Sequence, residues 1–266
     1  MSYQLHRGSV PLLVSLPHIG TEIPTDQRAR YVPRAHDVED TDWHLAQLYD
    51  FATELGGSVL QPRYSRYVID LNRPPDDTPM YPGASNTELC PTRFFSGDPL
   101  YVQDQGPSDD ERAWRRTEYW QPYHDALAGE LERLRGEHGF VLLWDGHSIR
   151  SEIPWLFEGL LPDLNIGTGG GTSADARITE AVAAVAAGYG EATHAVNGRF
   201  KGGYITRHYG RPADNVHAVQ LEMTQKLYMQ ESPPYAWLPE RAARIQPVLR
   251  EMVVAALQAA RALYGR

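Results

Sequence analysis

The sequence predicts a three-layer α/β/α domain built on a mostly parallel (mixed) central sheet. Three observations carry that prediction. Short, largely apolar runs without polar alternation, at residues 11–16, 141–144 and 217–222, read as strands buried on both faces. Segments with helical spacing separate them. No internal repeat, linker or shift in composition divides the 266 residues, so 1–266 reads as one domain.

Taken in order, the first strand leaves through Pro17-His18-Ile19-Gly20. A helix is expected to open at Asp40-Thr41-Asp42, because Asp and Thr suit an N-cap. Leu45, Leu48, Ala52 and Leu55 follow at three- and four-residue spacing, and Gly56-Gly57 supplies a stop. Strands are expected at 58–60 and 67–71, the second ended by Pro74-Pro75. Residues 74–108 are rich in Pro, Gly, Asp, Ser and Thr and show no period, a length that suits covering a site more than linking domains. Ser108-Asp-Asp-Glu111 is a capping box for a long helix that turns Trp120, Tyr123, Leu127, Leu131 and Leu134 inward. Pro122 should kink that helix or divide it. In the strand at 141–144, Asp145-Gly146 reads as the breaker and His147 as the first side chain beyond it. Residues 154–157 and 163–166 suggest short strands, and 193–196 a weaker one. A helix opened by Ser173 points Ile178, Val182 and Val185 inward, and a helix from about 239 to 263 closes the chain.

Composition narrows the function. Hydrophobic residues make up 42%, aromatics 10% and charged residues 22%, as in ordinary globular proteins. No apolar run approaches the ~20 residues of a membrane span, and the N-terminus lacks a signal-peptide pattern. A single cysteine, Cys90, rules out an internal disulfide, and a reducing cytoplasm is the simplest expected location. A formal net charge of -9 argues against a nucleic-acid partner. It leaves room for a small anionic substrate, because a pocket can be basic on an acidic protein.

The chemistry-bearing residues cluster at strand ends. His18 and His147 each follow an apolar strand, and Asp42 sits between them in the chain. Two histidines and a carboxylate with one position left for water are a usual hydrolytic metal set. Glu22, four residues after His18, is the rival carboxylate, and Glu39 and Asp40 read as plain helix-start acids. Glu222 ends the strand at 217–222, where partial burial suits a general base. Arg66, Asn72 and Arg73 bracket the strand expected at 67–71, and Lys201 and Arg207 follow later. Arginine grips carboxylates through two parallel hydrogen bonds. Gly167-Thr-Gly-Gly-Gly171 lacks a phosphate-loop ending and reads as a loop. Cys90 lacks a local nucleophile motif. His36, His124, His138 and His194 read as packing or surface residues.

Six ordered motifs carry a resemblance. Ser15-Leu-Pro-His18-Ile-Gly-Thr-Glu-Ile-Pro24, Asp40-Thr-Asp-Trp-His-Leu45, Ser65-Arg-Tyr-Val-Ile-Asp-Leu-Asn-Arg-Pro74, Trp144-Asp-Gly-His-Ser148, Gly202-Gly-Tyr-Ile-Thr-Arg-His-Tyr-Gly210 and Gln220-Leu-Glu-Met223 together resemble the N-formylglutamate amidohydrolases, over about residues 10–260. The resemblance implies a zinc-exopeptidase-like fold, one divalent metal (Zn2+) and hydrolysis of N-formyl-L-glutamate to formate and L-glutamate in histidine degradation. Asp70-Leu-Asn-Arg73 is similar to a segment of aspartoacylase. That likeness implies that Asn72 and Arg73 hold a substrate carboxylate and Arg66 polarises the scissile carbonyl. Those relatives carry a Glu three residues after the first histidine, where this chain has Thr21. Cell-wall amidases of similar fold take that ligand from a later helix start, which favours Asp42 over Glu22.

The expected mechanism uses His18, Asp42 and His147 as metal ligands and Glu222 as the base. Asn72, Arg73, Arg207 and Lys201 are expected on the substrate's two carboxylates. A related zinc amidase or carboxypeptidase acting on another N-acyl amino acid or peptide is the alternative activity, and a metal-free binding protein the alternative class.

Overall fold

In the computed structural model, which describes residues 2–80 and 86–265, apolar and β-branched runs supply seven strands: β1 (Tyr3–His6), β2 (Leu12–Ser15), β3 (Ser58–Pro62), β4 (Val141–Ile149), β5 (Leu164–Gly167), β6 (His194–Val196) and β7 (Val216–Thr224). They form one sheet in the order β1-β3-β2-β4-β7-β5-β6. Four of its six neighbouring pairs are parallel, and β1–β3 and β5–β7 are antiparallel. The helices are the single turns α1 (Thr25–Arg28), α2 (Leu45–Leu48) and α3 (Phe51–Glu54), then α4 (Asp109–Arg115), α5 (Gln121–His138), α6 (Ala176–Tyr189), α7 (Tyr204–Tyr209) and α8 (Pro239–Leu263).

Strand alternation makes the layers. Leu142 and Trp144 of β4 and Val219 and Leu221 of β7 pack with Ile178 and Val182 of α6 and Leu249, Met252 and Val253 of α8. Val141, Leu143, Val216 and Ala218 face the other way, onto Leu127, Leu131 and Leu134 of α5. Every residue of β4 and β7 is buried. The α/β class and mostly parallel sheet therefore stand as expected.

Several local expectations need correction. Asp145-Gly146 does not end β4. The strand runs on to Ile149 in register with β7, and the glycine at 146 leaves room for Leu16, which a Cβ there would meet at 2.7 Å. Residues 67–71 form no strand; they cross irregularly and Asp70 N donates to Leu89 O instead. The helix expected at 40–55 is reduced to α2 and α3, because His44 adopts a left-handed backbone (φ 62°) and Asp40 and Asp42 turn inward. Residues 154–157 are turns, and Asp175 rather than Ser173 caps α6. A π-helical turn, Arg116–Trp120, divides the long helix just before Pro122. β1 and α7 had no expectation in the sequence. The 74–108 loop stands as a loop, with 81–85 outside the described residues.

Candidate functional site

The carboxyl ends of β2, β4 and β7 hold the buried charges. Because β4 continues past Gly146, Asp145 and His147 project from the same face, two residues apart. Glu222 lies beside His147 in the β4–β7 register, and Gln220 beside Asp145. His18 follows β2, and its carbonyl accepts from the backbone N–H of Asp42 at 3.1 Å. That bond brings the loop after β2 and the segment carrying Asp42 together, without the helix start the sequence suggested.

The result is a tight cluster. Nδ1 of His18 and Nδ1 of His147 lie 3.1 Å apart, and Asp42 Oδ2 is 3.2 Å from His147 Nδ1 and 3.7 Å from His18 Nδ1. Among the described residues, these three form the group of His, Cys, Asp and Glu placed to hold a metal ion. Each ring is braced from behind by a carboxylate: His18 Nε2 lies 2.7 Å from Asp70 Oδ1, and His147 Nε2 lies 3.2 Å from Asp145 Oδ2. Asn72 Nδ2 also approaches His147 Nε2, at 2.9 Å, and Asn72 Oδ1 accepts from Ile205 N. A buried carboxylate needs a donor, so Asp70 favours the His18 tautomer with the proton on Nε2 and the lone pair on Nδ1, and Asp145 favours a proton on Nε2 of His147. The two Nδ1 atoms converge with Asp42. Ser148 N donates to Asp42 Oδ2, while Asp42 Oδ1 is buried without a hydrogen-bond partner.

Electrostatics follow from this crowding. Burial, reinforced by the Arg66 cation, lowers the His18 pKa despite Asp70. Burial works on His147 in the same direction, but Asp145 and Asp42 outweigh it and hold that ring well above the usual value. Asp70, which burial alone would raise, is held far below the carboxylate range by His18 and Arg66. Burial pushes Glu222 up to about 8.

A cavity of about 60 Å³ opens over the cluster. Its lining includes His18, Arg66, Asn72, Arg73, His147 and Glu222, each singled out in the sequence. Arg66 donates to Asp70 Oδ2 at 2.7 Å, stands 3.8 Å from Asp42 Oδ1, and lies over the Phe95 ring. Arg73 donates to the carbonyls of Asn72 and Thr87 and to Thr87 Oγ1, tying the 74–108 loop to the site. Asn86, Thr87 and Phe95 of that loop join the lining, so the loop does cover the site.

Lys201 and Arg207 are corrections. Both are exposed and neither lines the cavity; the chain turns inward at Gly202 and Gly203 between them, and Arg207 donates to Met80 O. Arg199, not anticipated, lines it instead. Three arginines and the carboxylate of Glu222 therefore face the space. Glu22 is half exposed and paired with Arg63 at 2.8 Å, away from the cluster. Asp40 is no surface acid: it accepts from Tyr67 Oη, Phe95 N and Arg150.

Asp145 was legible in principle, since period two puts it on the face of His147. Asp70 lay inside a quoted motif without a role. Nothing local marked Arg199. Cys90 is buried, and burial pushes its thiol up to about 11, against nucleophile chemistry. His124 packs on Trp120 and bonds Leu71 O and Tyr209 Oη, a packing residue as expected.

Fold and site define a class: an α/β protein that gathers two histidines and a carboxylate at the carboxyl ends of central parallel strands, beneath a cation-lined cavity. Comparison with known proteins makes the class specific. The family model for N-formylglutamate amidohydrolase matches residues 10–229, and the chain belongs to that family. An N-formylglutamate deformylase of Pseudomonas aeruginosa is 51% identical over 262 residues, 97% of each chain. One from Pseudomonas putida is 50% identical over 255 residues, 95% of this chain and 94% of the relative. The crystal structure of an N-formylglutamate amidohydrolase from Ralstonia eutropha superposes with a TM-score of 0.81 at 25% identity, covering 99% of this chain and 98% of the other. A crystal structure from Agrobacterium tumefaciens, at 21% identity and TM-score 0.74 over 97% and 95% of the two chains, shares the fold.

Proposed function

We propose that the protein is a metal-dependent hydrolase that removes the formyl group of N-formyl-L-glutamate, giving formate and L-glutamate. Relatives at 50–51% identity over nearly the whole chain bear the deformylase name. The observation that carries metal dependence is the convergence of two carboxylate-backed imidazoles on Asp42, one of whose oxygens is buried without a hydrogen bond. Such a donor set fits a divalent ion such as zinc. His18, Asp42 and His147 would hold it, and bound there it would supply Lewis-acid activation of water and of the scissile carbonyl.

The remaining chemistry belongs to the chain. Glu222 stands beside His147 in a site that burial makes unfavourable for its charge, which suits a carboxylate that takes a proton from water and returns it to the leaving amine. The Arg66 guanidinium, fixed by Asp70 and Phe95, stabilises the oxygen that gains charge as water adds to the formyl carbon. Arg73 and the Asn72 segment hold a substrate carboxylate, their geometry fixed by Thr87 and Ile205. Walls from Phe95, Ile149, Leu156 and Phe200 limit water around the reacting bond.

Formate release from N-formyl-L-glutamate, measured with and without a chelator, tests the reading. Turnover that the chelator abolishes and added zinc restores is the expected result. Full turnover after exhaustive metal removal would refute metal dependence, and no formate under any metal condition would refute the substrate.

A further inference from the structure

The cations of the cavity arrive from opposite sides of the sheet. Arg66 and Arg73 come from the segment after β3, on one flank of the central β4–β7 pair. Arg199 comes from the turn after β6, beyond β5 on the other flank. The reacting residues His147 and Glu222 lie on β4 and β7 between them. Arg199 is held in place: its Nη2 donates to Leu156 O at 2.9 Å and its guanidinium carbon stands 5.4 Å from the Phe200 ring centre. Leu156, Phe200, Ile149 and Phe95 form an apolar wall on that flank.

A space with a cation at each end and apolar wall between them suits a short aliphatic chain with two carboxylates. Methylenes lie against the wall, while each carboxylate finds its own guanidinium fork. We infer that Arg199 is the specificity-determining residue that reads the side-chain carboxylate of the N-formyl amino acid, leaving the α-carboxylate to Arg73. This rests on the deformylation reading and adds to it the residue that selects an acidic side chain over its neutral isostere. A site built to pair a charge discriminates against an analogue that lacks it, because the half-buried Arg199 guanidinium is then left without its ion.

The test compares kcat/KM for N-formyl-L-glutamate with that for N-formyl-L-glutamine, whose neutral amide has the same shape. Wild type should prefer the acid, and R199A should lower the ratio of the two by roughly 10²-fold. R199K, which keeps the charge without the fork, should fall between. Inhibition by L-glutamate gives a second readout, with its Ki raised in R199A by a factor similar to the change in ratio. If R199A slows both substrates in equal proportion and leaves the ratio unmoved, Arg199 is only a fastener on Leu156 and the inference fails. A wild type that treats both substrates alike overturns it as well. A wild type that releases formate from neither substrate brings down the deformylation reading itself, and this inference with it.

Discussion

The two halves of β4 and β7 share one hydrogen-bond ladder and complete burial, yet they differ in everything else. Residues 141–144 beside 216–219 are mostly apolar and pack against helices on both faces. Residues 145–149 beside 220–224 bury Asp145, His147, Gln220 and Glu222 within the same register. The first half gains stability by removing apolar surface from water. The second pays a desolvation cost that only mutual pairing offsets, and hydrogen bonding is incomplete at Asp42 and Asp145, each with one oxygen that accepts none. The sheet is therefore an apolar frame at one end and an electrostatic centre at the other, and the change falls between Trp144 and Asp145.

The contrast can be broken from either half. The largest effect is expected from Glu222→Gln, which keeps size and removes the proton acceptor. Turnover should fall by roughly 10² to 10⁴-fold, while bound metal and thermal stability stay at wild-type levels or rise. Loss of metal from this variant would show that Glu222 is a ligand. Leu143→Ala, two positions before Asp145, should act the other way. It should cost about 2–5 kcal/mol of unfolding free energy and leave kcat per folded molecule unchanged, measured by denaturant titration alongside formate release. A lowered kcat at full folding would mean that the two halves are mechanically coupled.

Asp145→Asn probes the brace behind His147. It should weaken metal affinity by roughly 10- to 100-fold, recoverable with excess metal, and a chelator-competition titration reads it. Unaltered affinity would remove Asp145 from the metal's support. The smallest effect belongs to Asp163, a buried carboxylate outside the centre that accepts from Thr193, Thr224 and Lys226. Burial works to raise its pKa, but Lys226 and Thr193 hold it below the usual range. A depressed folded pKa gives stability that is present above the unfolded value of about 3.9 and is lost as pH falls through the lower folded value. Asp163→Asn should remove about 1 kcal/mol at neutral pH and flatten that acid limb. An unchanged limb would show that other carboxylates set it.

How much was legible follows the same division. The apolar half of β4, the partner run of β7, and the faces of α5 and α6 were readable because burial writes itself as composition and period. His18, His147 and Glu222 were readable because they follow such runs. The segment 67–71 looked like a strand for the same reason, since Tyr67, Val68 and Ile69 are buried; they serve a loop core with Phe94 and Tyr101 and the α5 side of the sheet. Composition reports burial and not what does the burying. Arg199 was unreadable because its placement depends on strand order, which puts the turn after β6 opposite the segment after β3. Lys201 and Arg207 carried the same charge in the same stretch, and only the inward turn at Gly202-Gly203 separates them from it. Gly203 itself has no room for a side chain, because a Cβ would collide with the Asn72 amide.

Cys90 gives the molecule a built-in clock. It is the chain's single thiol, it is 1% exposed, and it adjoins Leu89, whose carbonyl takes the backbone N–H of Asp70. At that exposure a thiol reagent reaches it when its cover moves, and part of that cover is the loop bonded to the segment that braces His18. The labelling rate therefore reports local opening around Cys90, that seam included. Because a substrate gripped by Arg73 would stitch the same seam shut, the slowing of labelling with added ligand would report occupancy of the site in a protein that is not turning over.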